Sequence, residues 1–412
     1  MRAHIDASSL VDTTRALVAA DTRNPPGNER LAADVARQIL EPLGATFDEV
    51  EPAPGRTSLL ATISPTISPE HRDENRTRRP TLLINGHLDV VPIDPDGWTR
   101  DPFAGDVEPD GRMFGRGTAD MKGGIASAIE AVRALQLAGI DLPCDVVFHL
   151  VADEERGGRM GTGVLAHNGL IHADACLVPE PTSLGVCIAE RGLLQAEISV
   201  RGRAAHASEP SRGVSAVEKA ARLVVGLHGA DFGGTRHPLL GAPTLNAGMI
   251  AGGRAPNIVA DHCVLTIDRR TLPGMTEAST VDELRRSITA LGVTDLDYDI
   301  DVLVFGEASE LPSEHPWVAF VQAAITAELG APATVLGMTF ATDARFVRND
   351  AGVPAIVFGP GSIEQAHVND EWVEVEALVD AAAVMARLIA GFDGSAAAAI
   401  TRDHRAAPIN AP

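Results

Sequence analysis

The sequence predicts an α/β protein whose main sheet is interrupted by a separate antiparallel α+β segment. Short, nearly all-apolar runs are typical of strands buried on both faces. Such runs occupy residues 81–85, 145–151, 175–178 and 354–358. In contrast, residues 195–200 and 263–267 alternate polar and apolar side chains, as strands with one solvated face do. The change in strand character divides the chain at about residues 190 and 305.

Helical periodicity accounts for most of the chain between these strands. Predicted helices cover residues 9–20, 29–41, 121–137, 214–228, 281–291, 316–329 and 375–389. Residues 62–80 are rich in Pro, Arg and Glu, which predicts an exposed excursion before the strand at 81. The Ala-rich tail after Gly391 is expected to be loose. His149 alternates within a predicted strand, so we expect a core residue there.

Composition excludes several classes of protein. The 412 residues suffice for more than one domain, and an apolar fraction of 45% is ordinary for a globular protein. A net charge of −22 argues against a nucleic-acid partner, since such proteins need clustered Lys and Arg. The chain contains neither a run of about 18 apolar residues nor an apolar N-terminal stretch, so we expect no membrane span and no signal peptide. Four scattered cysteines predict reduced core residues and a cytoplasmic protein.

Residues that can bind metal follow each of the four buried runs. They are His87 with Asp89, Glu154 with Glu155, Glu180, and His367. In open α/β sheets, ligands bind at the carboxyl edge of the strands. Asp120 lies at the predicted start of the helix at 121–137, and its two carboxylate oxygens could bridge two cations. Together these residues predict a two-metal hydrolytic centre.

Each of these features also has a simpler interpretation. The His87 and Asp89 pair could be a surface hydrogen bond, Glu154 and Glu155 could form a solvated loop, and Asp120 could be a helix N-cap. Their joint occurrence at four strand ends favours the metal centre. In that case His87 binds metal and Asp89 fixes its ring by a hydrogen bond. One of the adjacent glutamates binds metal while the other faces the attacking water.

Longer motifs surround these residues and extend through nearly the whole chain. They are Gly-His-Leu-Asp-Val-Val-Pro at 86–92, Gly-Arg-Gly-Thr-Ala-Asp-Met-Lys-Gly-Gly at 115–124, Asp-Glu-Glu at 153–155, Glu-Pro-Thr at 180–182, and the stretches at 202–208, 255–257 and 268–274. This pattern resembles the M20 metallopeptidase family. That family includes acetylornithine deacetylase, succinyl-diaminopimelate desuccinylase, aminoacylase and glutamate carboxypeptidases.

The resemblance implies a metal centre with specific ligands. One Zn²⁺ would be held by His87, Asp120 and Glu180, and a second by Asp120, Glu155 and His367, with Co²⁺ or Mn²⁺ as possible substitutes. Asp120 would bridge the two ions. Three protein ligands for each metal would leave room for a water molecule, whose pKa falls toward neutrality.

The resemblance also implies a fold and a catalytic base. The fold would be a zinc-peptidase-like catalytic domain with a mixed, mostly parallel sheet, formed by residues 1–190 and 306–412. An inserted lid or dimerisation domain with an antiparallel sheet would span 191–305. Glu154 would be the general base and acid, and Asp89 would support the metal ligands. The peptide between Asp120 and Met121 is expected to be cis.

The insert and the second α/β segment contain candidate substrate-binding residues. From the sequence alone, His206 is a surface-loop histidine, but the resemblance implies that it reaches a partner subunit's site and stabilises the oxyanion. Asn257 and Arg270 resemble residues that grip the substrate carboxylate and the oxyanion. Thr342 and Arg345 lie in a stretch similar to that of the desuccinylases, where Arg345 could bind a second carboxylate. A surface ion pair is the alternative for Arg345.

The resemblance implies a cytoplasmic, homodimeric amidohydrolase that cleaves the amide bond of an N-acyl amino acid. A metal-activated water would attack the bond, with Glu154 as the general base. The nearest alternative is an M20 dipeptidase or carboxypeptidase that acts on short peptides. A metal-loaded binding protein would not need a base such as Glu154. A two-metal phosphoesterase would need more basic residues around the pocket than the sequence offers.

Overall fold

The computed structural model describes residues 1–65, 79–232 and 236–404 and contains two compact units. Unit 1 comprises Met1–Ile188, Leu311–Leu336 and Thr342–Pro412. Unit 2 comprises Ala189–Glu310 and Gly337–Ala341. The lid or dimerisation role of residues 191–305 stays a prediction.

The described residues form helices and strands in the following order. The helices are α1 (Ala7–Ala19), α2 (Arg30–Leu40), α3 (Lys122–Leu137), α4 (Thr162–His167), α5 (Ala216–Leu227), α6 (Glu277–Ala290), α7 (Pro316–Leu329), α8 (Val375–Gly391) and α9 (Gly394–His404). The strands are β1 (Thr46–Val50), β2 (Ser58–Ile63), β3 (Thr81–His87), β4 (Asp106–Val107), β5 (Arg112–Phe114), β6 (Asp145–Val151), β7 (Ala175–Val178), β8 (Val186–Glu190), β9 (Gly192–Arg201), β10 (Thr244–Gly252), β11 (His262–Thr271), β12 (Asp297–Gly306), β13 (Ser309–Glu310), β14 (Val335–Met338), β15 (Ala355–Val357) and β16 (Trp372–Glu374).

A mixed sheet forms the core of unit 1. Its neighbouring strands run in the order β1-β2-β6-β3-β7-β15-β8. The central strands β6, β3, β7 and β15 are parallel, whereas β1 and β2 pair antiparallel at one edge. Every residue of β3 and β7 is buried, as their apolar sequences predict. The predicted fold class is therefore confirmed, and the carboxyl ends of these four parallel strands lie at one edge of the sheet.

Unit 2 contains a four-stranded antiparallel sheet. Its strand order is β10-β11-β9-β12. Buried and partly exposed residues alternate along β9 and β11, as the sequence predicts for strands with one solvated face. Buried side chains of α5 and α6 pack on the inner face of this sheet. The sheet edges are β10 and β12.

Two predictions about irregular segments are wrong. The described part of the tail after Gly391 is not loose, because α9 spans Gly394–His404 and buries Ala397 and Ile400. Residues 405–412 of that tail lie outside the described residues. Asp393 accepts hydrogen bonds from the main-chain N–H groups of Ser395 (2.8 Å) and Ala396 (2.9 Å), and the alanines that follow favour a helix. The excursion at 62–80 begins too early, since β2 continues to Ile63. Residues 66–78 of that excursion lie outside the described residues.

The described residues confirm the expectations about the cysteines and about the Asp120–Met121 peptide bond. All four cysteines are free thiols and are buried. None of the helices in the described part of the chain is both long and apolar enough to cross a membrane. The cis peptide expected between Asp120 and Met121 is present.

His149 in β6 is buried, as predicted, and we expect its titration to make the free energy of unfolding dependent on pH. Burial, with a smaller contribution from the charge of His172, lowers the pKa of His149 to about 4. The unfolded chain, where the pKa is about 6.5, then binds more protons than the folded chain between these values. The contribution of neutral His149 is therefore present above pH 6.5 and is lost as the pH falls toward 4.

We expect wild-type protein to lose about 2 kcal/mol more unfolding free energy between pH 7 and pH 5 than a His149→Leu variant does. Urea unfolding of both proteins at the two pH values measures this difference. His172→Gln is the control, because it removes the smaller cause of the shift and should keep most of the pH dependence. Equal losses in wild type and His149→Leu would contradict the assignment.

Candidate metal centre

His87 is the last residue of β3 and is buried at the carboxyl edge of the unit 1 sheet. Its Nδ1 bonds the main-chain carbonyl of Asp89 at 2.9 Å, while the Asp89 carboxylate lies 3.6 Å away. Asp89 therefore fixes the ring by a hydrogen bond, as the sequence predicts, and it does so through its main-chain carbonyl. Its carboxylate is engaged by main-chain N–H groups instead. It accepts hydrogen bonds from Glu154 at 3.1 Å and from Glu155 at 3.2 Å.

Asp120 lies two residues before α3, in the glycine-rich segment 115–124. Close packing of this segment depends on glycine, since a Cβ on Gly124 would lie 2.0 Å from the carbonyl oxygen of Pro179. The first turn of α3 can thus lie against the segment that carries Glu180. As a result, Asp120 and Glu180 reach the same edge of the sheet from different parts of the chain.

The five predicted metal ligands lie together in unit 1. The carboxylates among them face the imidazole nitrogens of the two histidines. Nε2 of His87 lies 3.0 Å from Oδ1 of Asp120 and 3.6 Å from Oε1 of Glu180. Nε2 of His367 lies 3.0 Å from Oε2 of Glu155 and 3.5 Å from Oδ2 of Asp120. Each imidazole therefore faces two carboxylates, and Asp120 presents one oxygen to each ring.

Glu154 and Glu155 begin a short 3-10 turn that follows β6. Asp153, the residue before this turn, has a left-handed backbone (φ 72°). The turn lets the two adjacent side chains serve different partners. Glu155 contacts His367, whereas a carboxylate oxygen of Glu154 lies within 4.8 Å of ligand atoms of both His87 and Glu180. Burial, together with the charges of Asp343 and Glu155, raises the pKa of Glu154 well above its usual range.

The charges of the cluster fit divalent cations. Burial raises the pKa of Glu180, and the charge of Asp120 adds to this effect. Burial would also raise the pKa of Asp120, but hydrogen bonds from His367 and His87 outweigh it and lower that pKa. Hydrogen bonds to Asp120 and Glu155 raise the pKa of His367 to about 10. The cluster thus contains more carboxyl groups than imidazoles, and burial disfavours their ionisation unless a cation is close by. Imidazole with carboxylate oxygens is a donor set suited to zinc.

Sequence reasoning missed a buried polar network that supports the turn at Glu154. Nδ2 of Asn24 donates to Oδ2 of Asp89 at 2.8 Å, next to the N–H groups of Glu154 and Glu155. Arg56 donates to Glu29 and, at 2.9 Å, to Asp153, the residue before Glu154. The sequence signal for Asn24 was its place in an Asn-Pro-Pro-Gly loop, which indicates a turn but not its contacts. Neither Arg56 nor Glu29 lies in a sequence motif that would indicate its role.

Three predicted site residues belong to unit 2. His206 is exposed, and its Nδ1 bonds Oγ of Ser208 at 2.8 Å. The loop of Asn257 lies beside it, since the Asn257 carbonyl accepts the N–H of Ala207 at 3.0 Å. Arg270 lies on β11, where its Nε donates to Asp268 at 2.8 Å. The structure therefore brings His206 and Asn257 to neighbouring loops of one unit.

Thr342 and Arg345 are buried in unit 1. Oγ1 of Thr342 accepts the N–H of Ala344 at 3.1 Å. Nη2 of Arg345 donates to the carbonyl of Gly157 at 2.6 Å, and the guanidinium lies 4.5 Å from the centre of the Phe346 ring. This burial and these contacts differ from a surface ion pair. They attach Arg345 to the segment that follows Glu154 and Glu155.

Comparison with known proteins places this geometry in a family. Residues 83–391 match the model of peptidase family M20/M25/M40, and this span includes all five predicted metal ligands. The chain belongs to this family. It is also 32% identical to an acetylornithine deacetylase of Proteus mirabilis, over 92% of this chain and 94% of that protein. The protein is therefore an M20 hydrolase of a metal-dependent family, and unit 1 contains a candidate metal-binding cluster.

Solved structures share the fold. An aminopeptidase, PepT, from Bacillus cereus superposes with a TM-score of 0.77 at 22% identity, covering 94% of this chain and 99% of its own. An M20 family metallo-carboxypeptidase from Sulfolobus solfataricus gives 0.74 at 17% identity, covering 93% and 99%. At these identities the likeness concerns the fold.

Proposed function

We propose that the protein is a dinuclear metal-dependent amidohydrolase that removes the acyl group of an N-acyl amino acid. The observation that carries the proposal is the position of Asp120, with one carboxylate oxygen facing His87 and the other facing His367. A carboxylate shared in this way by two histidine-containing sets is suited to bridging two cations. The sequence identity to an acetylornithine deacetylase supports the choice of an N-acyl amino acid.

In this proposal, His87, Asp120 and Glu180 hold one metal ion, and Asp120, Glu155 and His367 hold the other. Zinc fits the mixed histidine and carboxylate ligands, with cobalt or manganese as substitutes. When bound, the two ions would polarise the amide carbonyl and lower the pKa of the attacking water. Glu154 takes the proton of that water on a carboxylate oxygen and returns it to the nitrogen of the leaving amine. Asp89 orients this step by holding the N–H groups of Glu154 and Glu155.

The remaining predicted site residues are proposed to bind the substrate. Asn257 and Arg270 would bind the substrate carboxylate and the oxyanion, and Thr342 with Arg345 would line the acyl or side-chain end. His206 would donate a hydrogen bond to the oxyanion. Because the N–H of Ser208 donates to Nδ1 of His206 at 3.2 Å, the proton of the neutral ring lies on Nε2, which is then the available donor.

We further propose a homodimer that forms through unit 2. Strand β10 is a free edge of its sheet in the described chain and exposes the apolar side chains Met249 and Ile250. At the other edge, β12 exposes Asp297, Asp299 and Asp301 at alternate positions, and Arg201 of β9 pairs with the first two. That edge is therefore charged, unlike β10. Val225 of α5 in the same unit is also 85% exposed. The partner that fits an uncharged edge of this kind is the same edge of a second copy.

A substrate panel tests the proposed function. The metal-reconstituted protein is assayed for amine release from N-acetyl-L-ornithine, other N-acetyl and N-succinyl amino acids, and dipeptides. We expect kcat/KM for the best N-acyl amino acid to exceed that for the best dipeptide by at least about tenfold. The reason is that contacts that fit a small acyl group do not fit the amino-terminal residue of a dipeptide equally well. The same assay after chelation, which should abolish turnover, is the control. Preference for dipeptides would identify a dipeptidase, and turnover that survives complete metal removal would contradict the dinuclear mechanism.

A further inference from the structure

Glu371 has no role in the proposed chemistry, yet its carboxylate contacts the segment that carries Asp120. The side chain is fully buried. Its Oε1 accepts three main-chain N–H groups, and its Oε2 accepts the guanidinium of Arg116. The donors are Gly117 (3.0 Å), Ala119 (2.9 Å), Asp120 (3.1 Å) and Arg116 Nη1 (2.7 Å). The main-chain carbonyl of Glu371 also accepts the N–H of Gly115 at 2.9 Å.

Glu371 is close in sequence to His367 and bonds the main chain of Asp120, so it connects the two groups of predicted metal ligands. It lies four residues after His367 and immediately before β16, which pairs antiparallel with β5 next to the glycine-rich segment. Thus one short segment carries His367 and also bonds the N–H of Asp120. Asp120 in turn presents an oxygen to each ring, so a shift of its backbone would alter both sets of distances.

We propose that Glu371 is a positioning residue that sets the affinity of both metal ions by fixing the backbone of Asp120 relative to His367. The proposal rests on the proposed function, in that the cluster binds metal. Groups that orient metal ligands typically change metal affinity by about 10–100-fold when removed. Without the carboxylate, the buried N–H groups of Gly117, Ala119 and Asp120 would lose a shared acceptor, and the segment would have to rearrange to satisfy them.

Metal binding to Glu371→Gln tests the inference. The amide keeps one acceptor oxygen but loses the charge that pairs with Arg116, and its NH₂ group offers no acceptor there. Chelator-stripped protein is titrated with Zn²⁺ in competition with a chromophoric chelator. We expect the Kd of both sites to rise by about 10–100-fold relative to wild type. At saturating metal, kcat should return to near the wild-type value, because the ligands themselves are intact.

Glu130→Gln is the matched control. Glu130 is another buried glutamate of unit 1, and it accepts the N–H of Asp6 at 2.8 Å and pairs with Arg133, away from the ligands. Its substitution should lower thermal stability while leaving both zinc affinities within about twofold. If Glu371→Gln does not fold, Glu371→Asp, which keeps the charge, should fold and show an intermediate affinity.

Three results would overturn the inference. They are wild-type zinc affinity in folded Glu371→Gln, wild-type affinity in Glu371→Asp where the Gln variant does not fold, and an equal loss of affinity in Glu130→Gln. Failure of the proposed function is distinguishable from these results. In that case wild-type protein itself would bind no zinc or would release no amine from the substrate panel.

Discussion

Glu154→Gln is expected to lower kcat by about 10²–10⁴-fold while two metal ions per chain still bind. The amide has the shape of the carboxylate but cannot accept the proton of the attacking water. Because the same group also returns a proton to the leaving amine, both steps of the reaction are slowed. Steady-state rates and metal content, measured on the same sample, check the prediction.

Glu155→Gln is the matched control, since it makes the same chemical change one residue further along the turn. Glu155 lies 3.0 Å from His367, and we expect its substitution to weaken one metal site. The two variants should therefore differ in metal content although both lose activity. A wild-type rate in Glu154→Gln would exclude it as the base. Loss of metal in that variant would instead make Glu154 a ligand, which its closeness to His87 and Glu180 allows.

The ligand cluster was predictable because strand ends are predictable. The apolar runs before His87 and Glu154 identify buried parallel strands, and parallel strands present their carboxyl ends at one edge. The sequence did not show that the Asp89 carboxylate accepts main-chain N–H groups, because such bonds depend on backbone geometry and not on residue type. The same holds for Glu371, whose partners lie more than 250 residues away in the chain.

Some of the fold also followed from local sequence and some did not. The helix at Pro316–Leu329 has the predicted bounds, because its first residue is a proline and a glycine follows its last. The helix at Gly394–His404 was missed, since a run of alanines shows no amphipathic periodicity from which a helix could be predicted. The three-stranded sheet of β4, β5 and β16 was also missed, because strands of two or three residues carry no periodicity.

His206 provides the second prediction with a large effect. If it donates to the oxyanion in the site of a second subunit, His206→Ala should lower kcat by about 10²–10³-fold, as loss of one oxyanion donor does. Glu154→Gln should be nearly inactive for a different reason. In a heterodimer of the two variants, one site has Glu154 from one chain and His206 from the other. That heterodimer should therefore regain about half of the wild-type activity per dimer.

Placing both substitutions on one chain distinguishes an active site that is shared between subunits from one that is formed by a single chain. A chain with both His206→Ala and Glu154→Gln is paired with a wild-type chain, and differently tagged chains allow each heterodimer to be purified. With a shared site, this second heterodimer has no complete site and should be nearly inactive. If His206 acts within its own chain, the result is reversed, because the wild-type chain keeps a complete site and the first heterodimer has none. A fully active monomer at assay concentration would contradict both the sharing of His206 and the pairing of β10 edges that would bring two copies together.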